Sequence, residues 1–223
     1  ITPTLMGLGA FPASEPEWLG LVGMHGTYEA NNAMHDCDLM VCLGARFDDR
    51  VTGRIDLFSP GSKKIHLDID ASQINKVIRV DLGIVADATK ALAESVRRWK
   101  ASGRKPDPAL KDWWKQIDVW RAKKSLDFKN SATVIKPQYA VDRLYELTRG
   151  REVYITTEVG QHQMWAAQRF KFEEPKHWMT SGGLGTMGYG LPAAVGVQMA
   201  HRNALVIDIA GEASVQMTMQ EMS

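Results

Sequence analysis

A glycine-rich turn, a run of small residues and an acidic turn carry the residue types best suited to chemistry in this 223-residue chain. Five glycines between Ser181 and Gly190 let the backbone take positive φ and let a ligand approach the main chain closely. The run Gly190–Ala200 predicts a helix whose free N–H groups point back at the turn and favour an anion. A strand over Ala204–Ile209 then leads into Gly211–Ser214. This order predicts a diphosphate site.

The turn Gly211–Ser214 carries side-chain oxygens that can hold a metal ion. Ligands of open α/β sheets lie beyond the carboxyl ends of the strands, where this turn is expected. The Glu212 carboxylate and the Ser214 hydroxyl suit Mg²⁺, which prefers a few protein oxygens together with phosphate oxygens. We therefore predict Glu212 as a metal ligand.

The same stretch also contains a dinucleotide-like pattern. Gly183, Gly185 and Gly188 form a G-x-G-x-x-G, and Asp208 follows twenty residues later. That fingerprint requires a hydrophobic strand directly before its first glycine. Pro175–Ser181 is a poor strand, and Asp208 falls inside its predicted strand rather than at its end. The pattern thus disfavours NAD, whereas an ordinary glycine-rich turn remains an alternative on these residues alone.

Four separated motifs carry a resemblance to a known family. Ser181–Pro192 together with Gly211–Ser214 resembles the thiamine diphosphate and Mg²⁺ half-site of thiamine-dependent enzymes, most closely the acetohydroxyacid synthase (acetolactate synthase) large subunits. Gly160–Trp165 and Gly44–Arg50 are further matches, so the resemblance covers nearly the whole chain. The family usually has Asp where Glu212 stands, which makes the expected metal ligand one methylene longer.

Composition is that of an ordinary globular protein, with 44% hydrophobic and 24% charged residues and a formal charge of +1. Dispersed basic residues predict no nucleic-acid surface, and the longest weakly polar run, Gly188–Ala200, is too short to span a bilayer. Cys37 and Cys42 predict free, buried thiols in a reducing compartment. The chain begins at Ile1 and ends at Ser223, and we expect both ends to be cut, so that no targeting segment can be judged.

Alternating strands and helices predict an α/β fold with two parallel-sheet domains. The first is a central Rossmann-like domain over 1–101, followed by a linker with a Trp-rich helix over 102–130. A second α/β domain is expected over 131–223, and the resemblance implies that it is a truncated thiamine diphosphate-binding domain. The predicted strands are Thr4–Gly9, Leu39–Leu43 (buried), Lys64–Ile69, Val80–Ala86, Glu152–Thr156 and Ala204–Ile209, and the predicted helices are Thr27–Asp36, Ser72–Val77 capped by Ser72, Ala88–Lys100, Leu110–Leu126, one beginning near Pro137, Gln161–Arg169 and Gly190–Ala200.

Cofactor-contacting residues follow from the resemblance. The first domain has no G-x-G-x-x-G, so FAD is implied by the resemblance alone. Arg50 is implied to lie near the substrate channel, where its planar fork can bind a 2-oxo acid carboxylate. On chemistry alone, a surface salt-bridge cluster around Arg50 and helix caps at Asp68 and Asp87 remain alternatives. The residues implied for FAD are His25, Gly44, Ala45, Arg46, Asp48, Val51, Asp68, Ile69 and Asp87, and those implied for thiamine diphosphate are Val159, Gly160, Gln161, His162, Gly185, Met187, Ala213 and Ser214.

The activity implied by the resemblance is decarboxylation of pyruvate and ligation to a second 2-oxo acid, pyruvate or 2-oxobutyrate, in branched-chain amino-acid biosynthesis, with FAD retained without a redox role. The catalytic glutamate and a second Mg²⁺ ligand are expected outside this chain, so we expect the chain alone to be inactive. The resemblance further implies a homodimer or tetramer, a small regulatory subunit, and a bacterial cytoplasmic or an organellar location, with neither nucleic acid nor membrane as partner. Alternatives are another thiamine enzyme, such as a pyruvate oxidase or glyoxylate carboligase, or a non-catalytic nucleotide-binding module.

Overall fold

A computed structural model describes all residues from Ile1 to Ser223. The chain forms two compact units, one made of Tyr28–Ser125 and the other of Ile1–Thr27 together with Leu126–Ser223. Each unit contains a parallel sheet of three strands. The predicted α/β class with two parallel sheets is therefore confirmed. None of the helices combines the length and the apolar character that a membrane crossing requires.

The unit Tyr28–Ser125 has its strands in the order β1-β2-β3. Parallel pairing places Val41 beside Ile65 and Leu67 beside Ile84. Its elements are α1 (Tyr28–Asp36), β1 (Leu39–Leu43), α2 (Asp49–Thr52), β2 (Lys63–Asp68), β3 (Leu82–Val85), α3 (Ala88–Ala101) and α4 (Leu110–Arg121), with short 3-10 turns at Ile55–Leu57 and Ala71–Gln73.

Packing in this unit corrects one prediction. Ile117 and Trp120 on α4 are buried, and α4 packs against α1. The strand β1, however, is not buried, because Leu39, Val41 and Leu43 are 50%, 53% and 41% exposed. Its alternate side chains lie on a sheet face that is open in this unit. Cys37 and Cys42 are free thiols, as predicted, but they are only partly buried.

The unit of Ile1–Thr27 and Leu126–Ser223 has its strands in the order β5-β4-β6. Ile155 of the central strand is fully buried in a core with Trp178 and Phe170. The elements are α5 (Pro137–Thr148), β4 (Val153–Thr157), α6 (Gln161–Arg169), β5 (Trp178–Thr180), α7 (Gly190–Ala200), β6 (Leu205–Ile209) and α8 (Glu212–Met217), with 3-10 turns at Leu5–Gly7 and Met219–Met222.

The first 27 residues group with the second sheet, which the sequence did not predict. Leu8 and Leu21 are buried in the same core as Ile155. Backbone N–H of Ala13 donates to the carbonyl of Phe172 at 3.1 Å. Apolar side chains of this segment thus find their partners in a part of the chain that is remote in sequence.

Local structure differs from the prediction at two short segments. The predicted strand Thr4–Gly9 is wrong, since the chain forms a 3-10 turn at Leu5–Gly7 instead. The helix predicted over Ser72–Val77 is only a 3-10 turn at Ala71–Gln73, and its cap is not Ser72 but the preceding Asp70, whose side chain accepts from the Ser72 N–H at 2.9 Å.

Two differences fall near the glycine-rich stretch. The segment Pro175–Ser181 does contain a strand, β5, which is held by parallel pairing with β4 and by burial of Trp178 and Thr180. Beyond β6 the chain does not continue as a loop, because α8 begins at Glu212 with Gly211 as its N-cap. Both differences extend regular structure towards the predicted site.

Candidate functional site

Three connections meet at one edge of the second sheet. The strands β4, β5 and β6 are parallel, so their carboxyl ends lie on the same side. The connection from β4 to α6 holds residues 158–160, the glycine turn follows β5, and Gly211 follows β6. An edge of this kind is where open α/β sheets bind ligands.

The glycine turn is open to solvent over residues 182–187, and two of its glycines have the positive φ that the sequence allows. Gly185 and Gly188 have φ of +70° and +80°. The Ser181 hydroxyl accepts from the Thr186 N–H at 2.9 Å and closes the turn. Leu184 is 96% exposed at its tip. A ligand can therefore reach the main chain of this turn without displacing a side chain.

At its far end the turn is held against α8. A Cβ added to Gly188 would lie 3.1 Å from both Met217 Cβ and Thr218 Cγ2. The Thr218 hydroxyl donates to the Gly188 carbonyl at 3.0 Å. Only glycine gives this position both its positive φ and its close approach to the next helix.

The His162 ring joins the connections that follow β4 and β6. An added Cβ on Gly211 would lie 3.0 Å from two atoms of the ring, and one on Gly160 would come closer still. An added Cβ on Gly185 would lie 3.5 Å from Val159 Cγ2, which places the glycine turn beside the same connection. The structure thus brings together residues predicted for thiamine diphosphate from segments far apart in sequence.

Glu158 is a buried acid at the centre of this edge, and the sequence reasoning missed it. Its side chain is 1% exposed. Its Oε2 accepts from the Gly190 N–H at 2.9 Å, its Oε1 accepts from the Gly211 N–H at 3.3 Å, and Oε1 lies 3.2 Å from His162 Nε2. Its position directly after β4 is the sequence signal that could have found it.

The contact with Glu158 corrects the predicted role of the α7 N-terminus. The N–H groups at a helix start favour negative charge, and sequence reasoning assigned them to a bound anion. The first N–H of α7, on Gly190, instead donates to the protein's own carboxylate. The open glycine turn, rather than Gly190, is the part of this stretch that can meet a ligand.

Asp208 lies beside Glu158 inside β6. Its Oδ1 accepts from the Thr156 hydroxyl at 3.1 Å, across the pairing of β4 with β6. Burial, and then the negative charge of Glu158, raise the pKa of Asp208 to about 6. Asp208 is thus a sheet residue bonded to its neighbouring strand, and it does not end the strand as a ribose-binding acid would.

The remaining residues predicted for thiamine diphosphate and metal differ in exposure. Ser214 is buried, whereas Gln161 and Ala213 are exposed. Met187 is 37% exposed in the glycine turn. Glu212 is exposed in the first turn of α8, so its carboxylate can turn towards a ligand. No group of three or more His, Cys, Asp or Glu side chains is arranged to hold a metal. A single carboxylate fits Mg²⁺ that is bound mainly through phosphate oxygens and water.

Most of the residues predicted for FAD lie at the carboxyl edge of the other sheet. The loop of Gly44, Ala45, Arg46 and Asp48 follows β1, and Val51 lies in α2. The Gly44 N–H donates to the Leu67 carbonyl at 2.8 Å, which joins this loop to β2. Asp68 is the last residue of β2, Ile69 follows it, Asp87 follows β3, and His25 belongs to the other compact unit.

The acids of this edge have structural partners of their own. Asp87 caps α3 by accepting from the Lys90 N–H at 3.0 Å, and Asp68 accepts from the Asp70 N–H at 2.8 Å. Asp48 caps α2. Arg50 is exposed and lies 3.4 Å from Asp49. Asp87 matches the alternative of a helix cap and Arg50 that of a surface ion pair, whereas Asp68 caps no helix, because Asp70 is the N-cap of the turn that follows. The FAD contacts stay predictions.

A cavity of about 710 Å³ lies at the amino end of β4, opposite the edge where the connections after β4, β5 and β6 meet. Its lining includes Arg151, Glu152, Tyr154 and His177. None of the residues predicted for a cofactor lines it. The candidate site is therefore the open turn with its convergent loops and not this cavity.

Two family models match the chain over the regions just described. Residues 1–95 match the thiamine pyrophosphate enzyme central domain, and residues 158–223 match the thiamine pyrophosphate enzyme C-terminal TPP binding domain. The second match begins at Glu158 and includes all three connections at the site. The chain therefore belongs to the thiamine pyrophosphate (thiamine diphosphate) enzymes.

Within that class the chain is similar to acetolactate synthase large subunits over its whole length. It is 47% identical over 223 residues to the large subunit of Haemophilus influenzae, covering 100% of this chain and 39% of that protein. It is 45% identical over 221 residues to the isozyme 3 large subunit of Escherichia coli, covering 99% and 38%. It is 44% identical over 222 residues to the large subunit of Porphyra purpurea, covering 100% and 37%. The chain spans about two fifths of the length of these relatives.

Proposed function

We propose that this chain is the central and C-terminal part of an acetolactate synthase large subunit that uses thiamine diphosphate. The observation that supports this most strongly is the 47% identity to such a subunit over all 223 residues. Three of the segments that resemble the family lie at one sheet edge, with an exposed turn that can accept a diphosphate. The reaction joins two molecules of pyruvate into acetolactate and releases carbon dioxide.

The protein groups of this chain bind and orient, and the cofactor supplies the reactive atom. Thiamine diphosphate, when bound, provides a nucleophilic carbon and accepts the electron pair that decarboxylation releases. Gly185 and its neighbours would meet the diphosphate through the main chain. Gln161 and His162 would contact the same end of the cofactor, and Met187 would support its bent conformation.

For the metal, we propose Mg²⁺ bound by Glu212, whose carboxylate is exposed at the start of α8. FAD is a further proposal, for which the support is the resemblance together with the gathering of Arg46, Asp68 and Asp87 at one sheet edge. Arg50 is proposed to meet the substrate carboxylate, since it is exposed and its guanidinium can bind a carboxylate bidentately.

Substrates, partners and location extend the same proposal. The acceptor is pyruvate or 2-oxobutyrate, the large subunits form a homodimer or tetramer, and a small regulatory subunit binds to them. The protein acts in a bacterial cytoplasm or in an organelle. In the longer protein, the proposed boundaries are a central domain at 1–101, a linker at 102–130 and a cofactor domain from 131.

The proposal is tested by assaying the full-length protein with pyruvate, Mg²⁺ and FAD, with and without thiamine diphosphate. We expect acetolactate to form only when thiamine diphosphate is present, with one carbon dioxide released per acetolactate. Replacing pyruvate with glyoxylate distinguishes a glyoxylate carboligase, and oxygen consumption distinguishes a pyruvate oxidase. Absence of turnover with every 2-oxo acid, despite nucleotide binding, would favour the non-catalytic module.

A further inference from the structure

We propose that Glu158 is a positioning residue that sets the distance between the glycine turn and the metal-binding turn. This inference rests on the proposed function. The acid directly follows β4 (Val153–Thr157), the central strand of the β5-β4-β6 sheet. Its carboxylate reaches the two flanking connections at once, through the Gly190 and Gly211 N–H groups.

Each of these two N–H groups belongs to a segment with a role in cofactor binding. Gly190 begins α7 directly after the glycine turn, and Gly211 is the N-cap residue of α8, next to Glu212. One oxygen of Glu158 accepts from each, at 2.9 and 3.3 Å. A shift of either segment away from β4 would break one of these bonds, so the carboxylate fixes both segments relative to the same strand.

The site also leaves little freedom for the carboxylate itself. Glu158 is 1% exposed, and His162 Nε2 lies 3.2 Å from its Oε1. That nitrogen is buried and has no well-directed hydrogen bond. The ring therefore packs against the carboxylate and limits its movement without forming a directed hydrogen bond to it. Because an unpaired buried N–H is costly, loss of either acceptor oxygen is expected to release the segment that the oxygen holds.

Variants of the full-length protein separate this role from general stability. Glu158→Gln keeps the shape of the side chain but retains only one acceptor oxygen, so one of the two N–H groups loses its partner. Glu158→Ala removes both acceptor oxygens. Glu158→Asp keeps both acceptor oxygens on a side chain that is one methylene shorter, so we expect it to hold the two segments less well. The matched control is Glu152→Gln, since Glu152 lies just before the same strand and its side chain is 57% exposed.

Three quantities are measured: the thiamine diphosphate dissociation constant by calorimetry, the Mg²⁺ concentration for half-maximal activity, and the thermal midpoint without cofactor. Calorimetry is done well below each variant's midpoint. For Glu158→Gln we expect the thiamine diphosphate dissociation constant to rise about tenfold. The Mg²⁺ concentration for half-maximal activity should rise as well, and kcat at saturating cofactor should change less. Glu158→Ala should bind more weakly still, and Glu152→Gln should match the wild type.

Two results would overturn the proposal. If the folded Glu158 variants bind thiamine diphosphate as tightly as the wild type, the acid is merely structural even where the midpoint falls. If none of the three variants folds, Glu158 is likewise structural. Failure of the wild type itself to bind thiamine diphosphate is a different outcome, because it would refute the proposed function on which the inference rests.

Discussion

Gly190 leaves no room for a side chain beside Glu158: a Cβ added to Gly190 would overlap Oε2 of Glu158 and Oδ1 of Asp208. Gly190→Ala should therefore destabilise the protein by about 1–3 kcal/mol, as overpacking does, and should weaken thiamine diphosphate binding. Alanine's higher helix propensity is too small to offset this clash. Urea unfolding and calorimetry measure the two effects.

A control for this substitution lies on the same helix. Gly196 has no atom within 4 Å of an added Cβ. Gly196→Ala should be neutral or stabilise the protein by about 0.5–1 kcal/mol, because glycine loses more backbone freedom on folding. Equal effects at positions 190 and 196 would show that the crowding around Glu158 does not exist.

The pH dependence of stability should carry a contribution from Asp208. Its pKa is raised from 3.8 to about 6 in the folded protein by burial and by Glu158. Protonation therefore favours the folded state, so this stabilisation is present below the unfolded pKa and is lost as pH rises through the folded value. Asp208→Asn should remove the dependence: the variant gains stability relative to the wild type as pH rises from 3.8 to 6.

Urea unfolding of the full-length protein at a series of pH values measures this difference. The Asn side chain still offers an oxygen to the Thr156 hydroxyl, so the strand contact is retained. A stability difference between wild type and Asp208→Asn that is constant across this pH range would mean that the Asp208 carboxyl does not titrate as its surroundings require.

Two helices near the site could be predicted from sequence, because local sequence preference and tertiary packing agree there. The helix Gln161–Arg169 and the helix Gly190–Ala200 have the predicted bounds. The short strand Trp178–Thr180 could not be predicted, since its three residues are held by pairing with β4 rather than by their own pattern. The predicted end of β4, Thr156, is one residue before its observed end, Thr157. Glu158, which directly follows the observed strand, was therefore not recognised as a residue of the strand's carboxyl end.

Burial was the other property that local pattern could not predict. The apolar run Leu39–Leu43 suggests a buried strand, but its exposure depends on which elements cover the sheet. Similarly, Leu8 and Leu21 belong to the core around Ile155 through contacts remote in sequence. The glycines and Glu212 could be proposed for the candidate site from the sequence, whereas the contacts by which Glu158 links the loops depend on the fold.

Arg169 is expected to stabilise the second unit through a set of directed contacts. Its Nε and Nη2 donate to the two carboxylate oxygens of Asp142 at 2.8 and 2.6 Å, and its Nη1 donates to the Leu126 carbonyl at 2.7 Å. The guanidinium also lies 4.6 Å from the ring of Phe128. Arg169→Lys should cost about 1.5–3 kcal/mol, because lysine cannot reproduce this fork.

The control is Arg143→Lys, since Arg143 and its partner Glu146 are about half exposed. Exposed ion pairs contribute little, so the change should be below about 1 kcal/mol. Chemical denaturation of both variants measures the difference. Similar losses of stability in the two variants would mean that the contacts of Arg169 stabilise the protein no more than an exposed ion pair does.

Glu212→Asp in the full-length protein should lower, or leave unchanged, the Mg²⁺ concentration needed for half-maximal activity. Mg²⁺ requires nearly ideal octahedral geometry, and the longer side chain must bend to supply its oxygen. Glu221→Asp, an exposed acid in the last turn, is the control. A large rise in this Mg²⁺ concentration for Glu212→Asp would indicate that the turn geometry requires the longer glutamate side chain. An unchanged Mg²⁺ concentration for Glu212→Ala would show that this residue is not a ligand.

The proposed binding site for thiamine diphosphate lies where the connections after β4, β5 and β6 meet. A crystal structure of the full-length protein with thiamine diphosphate and Mg²⁺ would show the position of the cofactor. We predict the diphosphate within hydrogen-bonding distance of the glycine turn 182–188, with Gly160–His162 and Gly211–Ser214 beside it and the metal on Glu212. Cofactor density at the opposite end of β4, in the cavity lined by Tyr154 and His177, would refute the proposed site.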